Sequence, residues 1–327
     1  MHFTRRTTLA LIACVATAVS GAPAFGQTWP SKPITIVVSY PAGGDTDAVA
    51  RTYAEKLSAR LGQPVLVDNR PGASGIIGNA AVAKAAADGY TLLFTPSTFP
   101  IAQHVLQVGP NVAHDVNKDF TPIVKTGNIP LLAVTAASTG IKDMKQLIAD
   151  AKAGKALTYG SPGTGSPMHI LAEMLNNDAG IKVTHVPYRG VAPVVTDTLG
   201  GHVGIGWITP GAVSSHISTG KLIPLATAER QRTRLMPNVP TLIELGYKNL
   251  DVSAWMGLLG PKGMPSDVVR ALNQHMNEIL RMPDVQAKMA ALGIEPIGGE
   301  PAVLAKQIAD DESRFGKLVK QFGIKAE

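Results

Sequence analysis

Three glycine-rich segments hold most of the side chains and backbone groups in this sequence that could do chemistry. The first is Tyr40-Pro41-Ala42-Gly43-Gly44-Asp45-Thr46-Asp47. The second is Asn69-Arg70-Pro71-Gly72-Ala73-Ser74-Gly75-Ile76-Ile77-Gly78, and the third is Tyr159-Gly160-Ser161-Pro162-Gly163-Thr164-Gly165-Ser166-Pro167. Each follows a short apolar run and leads into a stretch with helical spacing. Adjacent glycines let backbone approach a ligand closely. A helix that starts just beyond them offers N–H groups without intrahelical acceptors and a partial positive charge. Such loops suit a small anion. Ser161, Thr164 and Ser166 add hydroxyls to the third loop, and Pro167 fits the first helical turn. Asp47 is expected as the N-cap of the helix after the first loop, because Asp accepts the first free N–H groups there.

Enzymatic arrangements fit less well. There is no Gly-x4-Gly-Lys-Ser/Thr phosphate loop, no dinucleotide spacing among the glycines and no Gly-x-Ser-x-Gly elbow, so no cofactor is expected. One alternative stays open: a secreted serine hydrolase with an atypical nucleophile loop, using Ser161 or Ser166 with His169 or His185. His169 and Glu173 stand four apart on a helical stretch, a spacing that suits a metal. With no further ligand in view, capping or solvation explains the pair better, and no metal site is expected.

The elements that must position these loops alternate between strand and helix. Ile34-Thr35-Ile36-Val37-Val38 reads as a buried strand, and so do Val65-Leu66-Val67 and Tyr90-Thr91-Leu92-Leu93-Phe94. Between them run a helix with Val49, Tyr53, Leu57 and Leu61 on one face, closed by Gly62, and an alanine-rich helix over 81–87. This order calls for right-handed crossovers and a parallel sheet covered on both faces. The rhythm returns with strands over 131–135, 156–159, 183–186, 203–207, 222–228 and 252–259. Helices are expected over 144–153, 168–179 and 193–199, then over 267–280, 285–292 and 301–322. The result is an α/β protein of two lobes without a floppy linker, the chain crossing between them in short hinge segments near Gly127 and Leu222. Lobe 1 is expected over 27–127 and 223–327, and lobe 2 over 128–222.

The first 26 residues read as a secretory signal peptide. Arg5 and Arg6 precede an uncharged, mostly apolar run over 7–20, and small residues end at Gly26. Leu11-Ile12-Ala13-Cys14 resembles a lipobox, but the apolar run continues past Cys14, which argues against a lipid anchor there. Cys14 is the sole cysteine, so the mature chain has no disulfide, thiolate nucleophile or cysteine metal site. The formal charge of +6 becomes +4 without Arg5 and Arg6, with 28 basic residues against 24 acidic ones. That mild excess suits small anions. Nucleic acid is not expected as a partner, since the charge is spread and aromatics are few. Nothing in the pattern suggests a coiled-coil seam or a large apolar face, so a monomer is expected.

The same loops resemble the Bug family, the periplasmic receptors of tripartite tricarboxylate transporters, along essentially the whole mature chain. The resemblance rests on Trp29-Pro30-Ser31-Lys32-Pro33-Ile34, on Pro41-Ala42-Gly43-Gly44 with Asp47, Ala50 and Arg51, and on Asn69-Arg70-Pro71-Gly72. It continues through Asp88-Gly89-Tyr90-Thr91-Leu92-Leu93, Lys118-Asp119-Phe120-Thr121-Pro122 and Tyr159-Gly160-Ser161-Pro162-Gly163. Later come His185-Val186-Pro187-Tyr188-Arg189-Gly190, then Pro193, Asp197 and Leu199-Gly200-Gly201, and Asn238-Val239-Pro240-Thr241. The resemblance implies a two-lobed periplasmic-binding-protein fold of type II, the Venus flytrap, and a periplasmic home. It also implies a small carboxylate held by amides, hydroxyls and waters between Pro41–Gly44 and Ser161–Ser166, and delivery to permease subunits or a sensor.

Under this reading the ligand-binding residues are Pro41, Ala42, Gly43 and Gly44 facing Ser161, Thr164, Gly165 and Ser166. Tyr40, Asp45, Asp47, Thr95, Phe99, Tyr188, Asp197 and Trp207 are further candidates. Asp45 departs from the small or neutral residues the family more often carries. Facing the cleft, it would repel a second ligand carboxylate and accept an amine or hydroxyl; solvation or loop support is the plainer role. Phe99, Tyr40 and Trp207 are expected to make part of the pocket apolar and favour an aromatic or monocarboxylate ligand, with core packing the competing role for Trp207; the ligand class expected is an organic acid, aromatic acids and amino acids included. Asp197 has a competing role in stabilising the helix that leads to Gly200-Gly201.

Overall fold

The computed structural model describes residues 29–325, so the expected leader, with Cys14, lies outside the described residues. The chain opens with β1 (Ile34–Val38), α1 (Asp45–Leu61), β2 (Val65–Asn69), α2 (Ile76–Ala83), β3 (Thr91–Pro96), the short α3 (Ala102–Val105) and β4 (Phe120–Ile129). It continues with β5 (Leu132–Ala136), α4 (Met144–Lys152), β6 (Leu157–Ser161), α5 (Pro167–Ala179), β7 (Val183–Pro187) and α6 (Val191–Leu199). Next come β8 (Ile205–Ile208), α7 (Ser214–Ser218) and β9 (Leu222–Thr227). The last elements are β10 (Ala254–Pro261), α8 (Ser266–Ile279), α9 (Pro283–Ala291), β11 (Glu295–Pro296) and α10 (Pro301–Gln321).

Two sheets result. One has six strands in the order β11-β4-β10-β3-β1-β2, and the other five in the order β7-β6-β8-β5-β9. β1 is apolar and almost wholly buried because it pairs in parallel with β2 and β3 on either side. α1 turns Val49, Tyr53 and Leu57 inward, and Gly62 ends it in the left-handed region at φ 64°, donating to the Ser58 carbonyl. The first sheet is mixed rather than parallel throughout, since β10 runs antiparallel to both β3 and β4.

β4 is the main element that the sequence reading lacks. Its Pro122, Lys125, Gly127 and Asn128 break any apolar alternation. Distant partners supply what local pattern does not: Lys125 Nζ donates to Gln307 Oε1 at 2.8 Å, and Thr126 Oγ1 to the Met256 carbonyl at 3.2 Å. Gly127 leaves room for a neighbour, because a Cβ there would lie 2.6 Å from Cγ2 of Ile294.

The crossings between sheets also move. β4 stays in the first sheet through Ile129 and β5 opens the second at Leu132, so the outward crossing is at Pro130-Leu131 rather than at Gly127. β9 pairs with β5 through Thr227, so the return follows Thr227 and does not begin at Leu222. Residues 223–227 therefore belong with the second sheet, a correction to the boundary read from the sequence. The two crossings are tied together: Ala228 N–H donates to the Leu131 carbonyl at 3.1 Å, and Leu131 N–H to Glu229 Oε1 at 3.0 Å.

Each sheet has its own core. Val37, Leu93, Phe99, Phe120 and Trp255 pack beside the first, and Leu132, Val134, Val194, Ile208 and Leu222 beside the second.

Candidate ligand-binding cleft

The loop from β1 into α1 forms one wall of a cleft. Gly43 sits at φ 85°, a conformation glycine adopts without strain. Its N–H donates to Asp47 Oδ2 at 2.9 Å, and Asp47 also accepts from Arg51 Nε at 3.0 Å and Asn69 Nδ2 at 2.9 Å. Burial alone would raise the Asp47 pKa, but the hydrogen bonds from Arg51, Gly43 and Asn69 and the Arg51 charge outweigh it and hold the carboxyl below its ordinary range. Asp47 is thus a buried brace at the third position of α1, and the N-cap position that the sequence suggested for it belongs to Gly44.

Asp45, two residues earlier, is the opposite case. Among the described residues its carboxylate has no hydrogen-bond or ion-pair partner. Solvent reaches the residue, yet desolvation by the surrounding walls raises its pKa. Tyr40 reaches across this wall, its hydroxyl bonded to Thr98 Oγ1 and donating to the Ser74 carbonyl at 3.2 Å. Burial pushes the Tyr40 phenol up to about 12, against the effect of the Thr98 bond.

The facing wall is the loop from β6 into α5. Ser166 is the N-cap of α5, accepting from His169 N–H at 3.2 Å, and Pro167 takes the first helical position. Gly165 N–H donates to His169 Nδ1 at 3.0 Å, and Ser161 Oγ lies 2.7 Å from His185 Nε2. The two imidazoles stack at 3.8 Å between centroids, and Tyr159 stacks on His185 at 4.9 Å. Burial, reinforced by the neighbouring His185, pushes the His169 pKa down to about 3, and burial alone pushes His185 down to about 4. Both rings are therefore neutral near pH 7 and serve as a floor for the loop. Glu173 accepts from Tyr159 OH at 2.5 Å.

Between the walls lies a cavity of about 300 Å³ lined by Tyr40, Asp45, Thr46, Thr164, Gly165 and Ser166, with an aliphatic side from Val105, Leu106, Ile129, Met168 and Met256. A wider recess of about 690 Å³ shares Tyr40, Asp45, Thr46, Gly190 and Val191 and extends to Pro41, Gly44, Gly211 and Leu292. Among the described residues, neither space is lined by lysine or arginine. A larger hollow of about 1060 Å³ lies against α8 and β11, but it shares no residue with the cleft and its lining mixes Arg234, Arg270 and Arg281 with Glu278 and Glu295.

The structure separates the candidate residues. Tyr40, Asp45, Thr164, Gly165 and Ser166 line the smaller cavity, and Pro41 and Gly44 the wider recess, with Ala42 and Gly43 exposed between them. Ser161 and Thr95 line neither space and are almost fully buried. Phe99 does not face the cleft: it packs edge-on to Phe120 at 5.0 Å in the core of the first lobe. Trp207 is interior too, with Met144, Leu147 and Tyr159 around it. Tyr188 OH donates to Asp197 Oδ2 at 2.6 Å, and this pair lines neither space.

Thr46, Ser97, Thr98, Ile129, Thr209 and Met256 line the cavity and went unmarked in the sequence. β3 ends at Pro96, and in the turn that follows Ser97 and Thr98 line the cavity with Pro96, while Thr95 and Phe99 do not. That end of a strand was a legible place to look, but its register was not.

Two α/β lobes, each with its own sheet, and a cleft between strand-to-helix loops give the chain the two-lobed fold of periplasmic binding proteins of type II. More narrowly, the chain belongs to the tripartite tricarboxylate transporter family of receptors, whose family profile matches residues 49–324. It is 38% identical over 312 residues to protein BugT of Bordetella pertussis, covering 95% of each chain. Among solved structures it is similar to Rpa4515 of R. palustris with adipate, at 30% identity and a TM-score of 0.79, covering 91% of this chain and 99% of that one. It is also similar to MatC of Rhodopseudomonas palustris with bound malate, at 29% identity and a TM-score of 0.75, covering 89% of this chain and 100% of that one.

Proposed function

We propose that this protein is a periplasmic receptor that captures a small carboxylate between Tyr40–Thr46 and Thr164–Ser166 and presents it to the permease subunits of a tripartite transporter. The observation that carries this reading is the set of neutral donors left unused at the mouth of α5. Among the described residues, the Thr164 and Met168 N–H groups and the Thr164 hydroxyl have no protein partner, and the Ser166 hydroxyl accepts a bond but is free to donate one. Hydrogen bonds to a charged group contribute about 1.5–3 kcal/mol each. Three or four of them account for much of the roughly −8 kcal/mol of micromolar binding without a basic clamp. Adipate and malate in the similar structures support a carboxylate as the class. The aliphatic lining favours a ligand with an apolar body, and the aromatic preference expected from the sequence loses Phe99 and Trp207 as its reasons. Among the described residues no helix is long and apolar enough to cross a membrane, and the leader-like first 26 residues support export.

One contact favours a second reading, a serine hydrolase: the Ser161–His185 pair at 2.7 Å. Three features weigh against it. Ser161 is 0% exposed, its hydroxyl also meets the Gly163 carbonyl, and a His185 pKa of about 4 is far from what a general base needs at neutral pH.

The test is a thermal-shift screen of ligand-stripped protein against small carboxylates and their matching amides. A ligand at a hundred times its dissociation constant adds about 2.7 kcal/mol. Acids are expected to raise the melting temperature and amides to leave it unchanged. Ester turnover abolished by Ser161→Ala would replace this reading with the hydrolase.

A further inference from the structure

We infer that Asp45 makes this receptor select zwitterions, small molecules with one carboxylate and a protonated amine, over plain monocarboxylates and dicarboxylates. The inference rests on the carboxylate reading of the cleft and adds the second half of the ligand.

Asp45 is the sole formally charged side chain lining either part of the cleft among the described residues. It borders both the smaller cavity and the wider recess, so a ligand in either one meets it. No lysine, arginine or hydrogen-bond donor of the protein neutralises it. Structural carboxylates in this protein look different. Asp47, on the same helical turn, is satisfied by three donors, and the buried Asp311 accepts from Trp255 Nε1 at 2.7 Å and Gln307 Nε2 at 3.0 Å. A partly desolvated carboxylate left open in a binding cleft gains most from a ligand that brings its own cation.

The geometry also orients that ligand. The free donors of Thr164, Ser166 and Met168 stand at the start of α5, on the wall facing Asp45. The ligand carboxylate belongs at α5 and its ammonium at Asp45, with the carbon body against Val105, Ile129 and Met256. A second carboxylate would meet Asp45 instead, which sets this cleft apart from a site built for two like charges.

The experiment is calorimetric titration of the full ligand-stripped protein with matched pairs: 5-aminovalerate against valerate, leucine against 4-methylpentanoate, and adipate and malate alone. The aminated member of a pair is expected to bind at least tenfold tighter. Asp45→Asn should bring that ratio close to one and improve dicarboxylate binding about tenfold, while Asp45→Glu keeps the preference. A purely structural Asp45 would alter stability and leave the ratio unmoved. Tighter binding of the plain acids, or an unchanged ratio in Asp45→Asn, overturns the inference and leaves the carboxylate receptor standing. No binding in any series overturns both. Should Asp45→Asn fail to fold by circular dichroism, the matched pairs on the unaltered protein decide the matter.

Discussion

Gly211 and Leu292 meet across the wider recess so closely that a Cβ on Gly211 would lie 2.4 Å from the Leu292 carbonyl oxygen. Gly211 follows β8 in the second lobe, and Leu292 follows α9 in the first. The clash would be with backbone, which cannot swing aside as a side chain does. Nearer the cavity, a Cβ on Gly165 would come within 2.5 Å of Val105 Cγ2. The lobes therefore close against each other where side chains are missing.

Gly211→Ala should prop the lobes apart. Overpacking of this kind costs about 1–3 kcal/mol, which corresponds to roughly 5- to 150-fold weaker ligand binding. The ligand-free melting temperature should change little, because lobes without ligand can separate to make room. Titration calorimetry together with small-angle scattering of the free and liganded forms checks this. Unaltered affinity would mean that the Gly211–Leu292 contact is not part of closure.

Phe99 bears on stability rather than on selectivity. Phe99→Ala should cost about 3–5 kcal/mol, as large-to-small changes at buried aromatic positions do. The rank order of ligands, measured where the variant remains folded, should match that of the unaltered protein. A reordering would return Phe99 to the cleft.

The stacked imidazoles set an acid limit. Their pKa values of about 3 for His169 and about 4 for His185 lie below the ordinary value of 6.5, so the folded state resists protons that the unfolded state takes up. Their contribution to stability is complete above about pH 6.5 and is lost as pH falls through 6.5 toward 4 and 3. His169→Asn keeps an acceptor for the Gly165 N–H and removes one titrating ring. Between pH 7.5 and 5 this variant should lose less stability than the unaltered protein, as denaturant titrations at the two pH values would reveal.

Glu229 acts in the opposite direction. Burial pushes its pKa up to about 7, partly offset by the Leu131 N–H bond and reinforced by Glu295. Its buried charge therefore costs most above pH 7, and that cost fades as pH falls toward the ordinary value of 4.5. Glu229→Gln preserves an acceptor for Leu131 and should stabilise the protein at pH 8 by about 1–3 kcal/mol. The gain should vanish by pH 4.5. A gain of equal size at both pH values would point to packing instead of charge.

Much of the architecture was legible in the sequence because its signals are local. A β-branched run such as Ile34–Val38, a four-residue apolar recurrence through Val49, Tyr53 and Leu57, and a glycine stop at Gly62 are each fixed by near neighbours in the chain. The family blocks follow the same local order, and with them came the two lobes and the loops that form the cleft.

Tertiary structure decided what depends on distant partners. β4 is a strand because residues such as Gln307, 182 positions away, satisfy its polar side chains. The return crossing sits beyond Thr227 because β9 must pair with β5. Trp207 turned inward because its register in β8 sets which way its side chain points, and Phe99 because the turn after β3 packs it on Phe120. Asp45 and Asp47 are the same residue type two positions apart. Only the folded chain brings Arg51, Asn69 and Gly43 to the second and leaves the first open to a ligand, since a carboxylate's role is set by the donors within about 3 Å of it.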